Sequence, residues 1–130
     1  MVAIGLVDPS RVIRLLGHLL EMCRGASLSA ELQFEVLPLF TRAQHLAEMG
    51  IGTGGAKWNW ESYGHEVDLR TDAPQWWRGV LRDLQTSGGL LISCSSDSAP
   101  QVLEILRNRN FIHASVVGEF RDGRPRVCVR

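Results

Sequence analysis

The sequence predicts an α+β domain: a mixed, partly antiparallel sheet of about four strands with helices packed on it. Three observations predict it. Segments of helical periodicity are interleaved with short apolar or alternating runs. A long irregular stretch, residues 51–72, separates two such groups. Near the C-terminus Asp122-Gly123 stands between two strand-like runs, a strong hairpin signal that makes the sheet partly antiparallel. With 130 residues in all, the chain is expected to be one domain over 1–130.

The elements follow in order. Residues 10–24 place Val12, Leu15, Leu16, Leu19, Leu20 and Cys23 on one helical face. Asp8 or Ser10 suits its start, Pro9 its first turn and Gly25 its end. Residues 28–37 alternate apolar and polar positions and predict a strand. Residues 40–50 form a short amphipathic helix with Gly50 as its stop. Residues 73–83 predict a helix with Pro74 in the first turn. Residues 88–94, Gly-Gly-Leu-Leu-Ile-Ser-Cys, are a continuous apolar run, which predicts a strand buried on both faces. Residues 98–109 predict a helix turning Ala99, Val102, Leu103 and Leu106 inward, started by serine-rich capping at residues 95–98. Residues 113–121 alternate again, and residues 125–130 return as the last strand of a hairpin.

Composition narrows the function. Apolar residues make up 45% of the chain, ordinary for a globular protein, and Lys plus Arg balance Asp plus Glu at 14 each. Zero formal charge removes the footprint of a general nucleic-acid binder. Cys23, Cys94 and Cys128 are far apart, which argues against a disulfide framework or a cysteine zinc site and for a reducing, cytoplasmic setting. No stretch reaches the ~18 apolar residues of a membrane span. No nucleic-acid or membrane partner is expected.

Two glycine-rich stretches invite a phosphate reading. "GIGTGG", 50–55, follows a helix and precedes an irregular stretch, whereas a dinucleotide fingerprint follows a strand and opens a helix. Gly88 and Gly89 precede their strand and no lysine follows, the reverse of a P-loop. Capping explains Ser95, Ser96, Asp97 and Ser98 without a ligand. The four histidines share no metal-ligand spacing: His18 reads as a packed histidine, and His65 near Glu66 and Asp68 lacks three convergent ligands. The densest local signal is aromatic: Trp58, Trp60, Tyr63, Trp76 and Trp77 fall within one stretch. These rings either roof the sheet or form an interface.

"GGAKWNWESYGHEV" at 54–67, "DLQTSGGLLIS" at 83–93, "ASVVGEF" at 114–120 and "LLGHLLEM" at 15–22 together resemble the C-terminal domain of selenophosphate synthetase (selenide, water dikinase). The resemblance runs in order from about residue 12 to residue 130. Gly54, Gly55, Asn59, Ser62, Tyr63, Gly64 and His65 match the family's loop pattern. Asp83, Gln85, Thr86, Ser87, Gly88 and Gly89 match its second pattern. The resemblance implies the α+β fold of aminoimidazole ribonucleotide synthetase-like C-terminal domains. It also implies a setting in which selenide, ATP and water give selenophosphate, AMP and phosphate. In the full-length family ATP and magnesium are held mainly by an N-terminal domain, which also carries the reactive Cys or selenocysteine and its lysine.

This chain departs from the pattern. Where the family has Thr-Asp-Val-Thr-Gly-Phe-Gly, residues 8–14 read Asp-Pro-Ser-Arg-Val-Ile-Arg, so Pro9 takes the place of a metal-ligand aspartate and residues 1–11 are divergent. Leu84 replaces a proline and Trp58 a basic residue. The expectation is a stand-alone or excised domain without catalytic residues, metal or cofactor of its own. It acts by self-association as a homo-oligomer, or by binding an ATP-binding N-terminal-type domain or a small phosphate-bearing ligand. The alternative is a cleft-completing part of an ATP-dependent synthetase. The ligand-binding candidates are Thr53, Gly54, Gly55, Asn59, Thr86 and Ser87; the interface candidates are Trp58, Trp60, Tyr63, Trp76 and Trp77.

Overall fold

A computed structural model describes residues 2–6, 15–37, 41–51, 60–82 and 90–130. The elements are β1 (Val2–Leu6), α1 (Leu15–Ala26), β2 (Leu28–Leu32), α2 (Thr41–Glu48), β3 (Val67–Leu69), α3 (Gln75–Arg82), β4 (Leu90–Cys94), α4 (Ala99–Asn108), β5 (Ser115–Asp122) and β6 (Arg126–Val129). They form a mixed sheet in the order β3-β6-β2-β5-β1-β4, with helices packed on it, as the sequence predicts. The strands read from the alternating and apolar runs are all present. The five-residue β1 and the three-residue β3 join them, so the sheet has six strands and not about four.

The core lies between α1 and the β2–β6 part of the sheet. Leu16, Leu19, Leu20 and Cys23 of α1 are at most 1% exposed and meet Leu32, Val117, Val127 and Val129, which are all 0% exposed. The helix buries the face that its periodicity marked. Helix ends follow the backbone rules. After α2, Gly50 adopts φ +73, its amide reaches the Ala47 carbonyl and the Ile51 amide reaches Leu46. After α4, Asn110 at φ +68 does the same, with Asn110 bonded to Arg107 and Phe111 to Leu106. Both are paired closures that satisfy the orphan carbonyls of a last turn.

Four further expectations are corrected. The terminal hairpin does not form: β2 is inserted between β5, which it meets antiparallel, and β6, which it meets parallel. Gly123, at φ +153, helps carry the chain past the start of β2, where a Cβ would meet the Ser29 hydroxyl at 3.3 Å. The strand expected over 28–37 stops at Leu32. Gln33 then bonds to Val117 and Phe34 to Arg130, and a 3-10 turn, Phe34–Val36, sends Phe34 into the core. β4 is not buried on both faces; among the described strands it stands at the end of the order, and Leu90 is 53% exposed. The serine capping of α4 is displaced by one turn: the Ser98 side chain makes no cap bond, and the Ser95 hydroxyl accepts from the Ser98 amide at 3.3 Å.

β5 carries a bulge where it meets β1. Ala3 pairs with Gly118 and the next residue, Ile4, with Val116, which leaves Val117 as the extra residue. A bulge breaks the strict alternation of faces. Val117 and Gly118 are therefore both buried although adjacent.

Candidate functional site

The described part of the long 51–72 stretch folds as a helical turn at 60–63, a 3-10 turn at Gly64–Glu66 and strand β3. This segment is fixed at three points. Trp60 lies against Gly64, where an added Cβ would come within 2.9 Å of the indole. The Arg78 guanidinium of α3 stands 5.7 Å from the Trp60 ring centre, within range for cation–π attraction. Glu66 accepts a hydrogen bond from Arg24 in the last turn of α1.

These contacts set the segment beside α1 and leave a cleft of about 230 Å³, lined by Gly17, His18, Leu20, Glu21, Arg24, Ser62 and Tyr63. The Tyr63 ring comes within van der Waals range of Gly17, 4.0 Å from the position of a Cβ there. His18 Nδ1 is 3.5 Å from Glu21 Oε2, and His65 Nε2 is 4.0 Å from Glu66 Oε1. The α1 wall holds Glu21, Arg24 and the His18 imidazole side by side, suited to a small polar ligand or to a polar protein contact. His18 is 55% exposed on its side chain, so it is a cleft residue and not the packed histidine the sequence suggested. Among the described residues no group of three His, Cys, Asp or Glu is placed to hold a metal ion.

The aromatic candidates fall into two places. Trp77 stacks on Phe34 with centroids 4.0 Å apart and planes 11° apart, Trp76 meets Phe34 edge-on at 5.4 Å, and Arg70 covers Trp77 at 4.8 Å. At 3% exposure Trp77 offers no ring face to a partner. It roofs the core, and the interface expectation narrows to the partly buried Trp60, Tyr63 and Trp76. Trp58, Thr53, Gly54, Gly55, Asn59, Thr86 and Ser87 lie outside the described residues.

A match to the family described as "AIR synthase related protein, C-terminal domain" covers residues 15–129. The chain belongs to that family. Its relatives include the selenide, water dikinase of Pseudomonas straminea, 45% identical over 115 residues, which are 88% of this chain and 32% of that protein. The selenide, water dikinase of Dechloromonas aromatica (strain RCB) is 39% identical over 115 residues, 88% of this chain and 33% of its own length. That of Rhizobium meliloti (strain 1021) is 41% identical over 114 residues, with the same coverage. The chain spans about one third of the length of these curated relatives.

Within this AIR synthase-related domain, two of the stretches that carry the family resemblance meet at one cleft, residues 15–22 through Gly17, His18, Leu20 and Glu21 and residues 54–67 through Ser62 and Tyr63. The sequence gives Gly17, Glu21 and Arg24 no site role, and it sets Glu66 beside His65 and not beside Arg24. A glycine inside a strongly periodic helix was the available signal, since such a glycine marks a close approach. The Arg24–Glu66 pair joins residues 42 positions apart and left no local trace.

Proposed function

We propose that this domain serves selenophosphate synthesis as the half that completes the cleft of an ATP-binding domain, and that it turns over no ATP by itself. The ATP-binding domain is supplied on the same polypeptide or on a separate one. The observation that carries the reading is the 39–45% identity to selenide, water dikinases over 88% of this chain, with two family stretches folded against each other at one cleft.

Chemistry supports this division of labour. Phosphoryl transfer depends on positioning and on charge neutralisation by metal ions and basic groups. That work is assigned to the ATP-binding half. Residues 52–65, of which Ser62 and Tyr63 line the cleft, and residues 85–89 are assigned to contact with that half or with a phosphate-bearing ligand it presents. Asn59 and Thr86 are the polar contacts of first choice.

Complementation tests this reading. The chain is mixed with a selenide, water dikinase truncated to its ATP-binding part, and selenide-dependent ATP consumption is followed. Restored turnover, reduced by Asn59→Ala or Thr86→Ala with the melting temperature unchanged, is the expected result. A truncated synthetase that stays silent with the chain at saturating concentration overturns the proposal.

A further inference from the structure

Helix α4 meets the sheet at β1 and ends in the closure at Asn110. Among its residues only Ala99 is buried. Every residue from Arg107 to His113 is exposed. Three large apolar side chains face water here: Ile105 at 53%, Phe111 at 52% and Ile112 at 69%. The closure supplies part of the reason. The Phe111 amide donates to the Leu106 carbonyl, and such a motif commonly lays the side chain at that position on the last turn. Half of Phe111 is still open, and the motif makes no demand for isoleucine at 105 or 112. Apolar surface of this kind marks an association site.

The charges around these side chains have one sign. Residues 105–114 read Ile-Leu-Arg-Asn-Arg-Asn-Phe-Ile-His-Ala, without Asp or Glu. Arg24, Arg70, Arg121 and Arg126 are each held by a carboxylate of this chain. Among the described residues no carboxylate pairs with Arg107 or Arg109, although Glu104 stands only three residues before Arg107. A helix C-terminus favours a nearby cation. That preference does not account for the apolar side chains set among these two.

We propose that this surface docks an acidic amphipathic helix of another protein. The apolar stripe of that helix covers Ile105, Phe111 and Ile112, and its flanking carboxylates meet Arg107 and Arg109, whose planar guanidinium groups suit bidentate pairing. Charge decides for an acidic partner, and the side chains decide for a protein. Single-stranded nucleic acid takes a row of aromatic rings and a basic groove; here one ring stands between two isoleucines. An anionic lipid surface is held by clusters of about four to eight cations; here there are two arginines. A stable interface takes about 800 Å² from each partner, more than these few side chains supply, so the contact is transient and weakens as salt screens it. None of these residues lines the cleft, so docking here is independent of the proposed function.

Titration of the whole, isotope-labelled chain with two synthetic amphipathic helices provides the test, one built of leucine and glutamate and the other with lysine in place of every glutamate. Amide shifts locate the contact. The expected result is saturable binding of the acidic helix, with shifts centred on residues 105–113 and an affinity that falls as salt rises. The lysine helix should bind about tenfold more weakly or not at all. Arg107→Gln combined with Arg109→Gln, and separately Ile112→Ser, should each weaken the acidic helix about tenfold. The melting temperature should stay unchanged, because all three side chains are exposed. Equal binding of the two helices, shifts centred elsewhere, or no shift at millimolar peptide overturns the proposal. So do shifts at 105–113 produced not by the acidic helix but by phosphatidylserine vesicles, by single-stranded RNA or by the ATP-binding part of a selenide, water dikinase.

Discussion

Gly118 of β5 lies directly against the Glu31 carbonyl of β2: a Cβ at Gly118 would stand 2.1 Å from that oxygen. The obstacle is backbone in the middle of the sheet, held by the pairing of β2 with both β5 and β6, so it cannot swing aside as a side chain would. Gly118→Ala is therefore expected to force β2 and β5 apart at the bulge. Overpacking of this kind costs about 1–3 kcal/mol, occasionally more. Urea unfolding checks it, the expectation being a lower midpoint; a midpoint equal to that of the parent chain would show that the bulge can relax.

The Phe34–Trp77 stack, 4.0 Å between centroids, is expected to hold the β2–α3 junction. Trp77→Ala removes a buried aromatic from a packed site and should cost about 3–5 kcal/mol. Trp76, only partly buried at its edge, should cost less when truncated. Chemical denaturation of the two variants orders them, and an equal loss would contradict the packing described.

The Arg24–Glu66 pair is half open to water, with side chains 49% and 25% exposed. Screening keeps its coupling small, about 0.2–1 kcal/mol. A double-mutant cycle with Arg24→Ala and Glu66→Ala should fall in that range and shrink with added salt. The same variants should loosen the Ser62–Tyr63 wall of the cleft, read as faster amide exchange at 62–66. Unchanged exchange would mean that Trp60 alone fixes the segment.

Burial pushes the Cys23 thiol up from 9.0 to about 11, because desolvation disfavours the thiolate. The sign follows directly. The folded state holds this proton more tightly than the unfolded state, so the associated stability is full below about pH 9 and is lost as pH rises toward about 11. Cys23→Ala should flatten that alkaline loss. At neutral pH a thiol reagent should modify the half-buried Cys94 and Cys128 well before Cys23. Equal rates at all three would contradict the burial of α1.

Local chemistry accounts for what the sequence disclosed. The four long helices were legible because their apolar faces repeat every three to four residues, and Gly50 marked a real closure. Pairing partners were not legible. Asp122-Gly123 announces a turn, but a turn does not say whether another strand lies between its arms, and here β2 does. The apolar run at 90–94 reads alike for a central strand and for one at the end of the order, since neither position requires a charge in it. β3 covers only Val67–Leu69, too short for a period to show. At the candidate site the aromatic density was visible in composition. That Trp77 belongs to the core while Tyr63 lines a cleft depends on contacts with Phe34 and Gly17, residues far away in sequence.

The proposed division of labour leaves phosphoryl transfer to the ATP-binding half. The most direct measurement is ATP consumption by the purified chain with magnesium and selenide present. The expected rate is no greater than the blank. Sustained, selenide-dependent consumption of Mg-ATP by the chain on its own would contradict it.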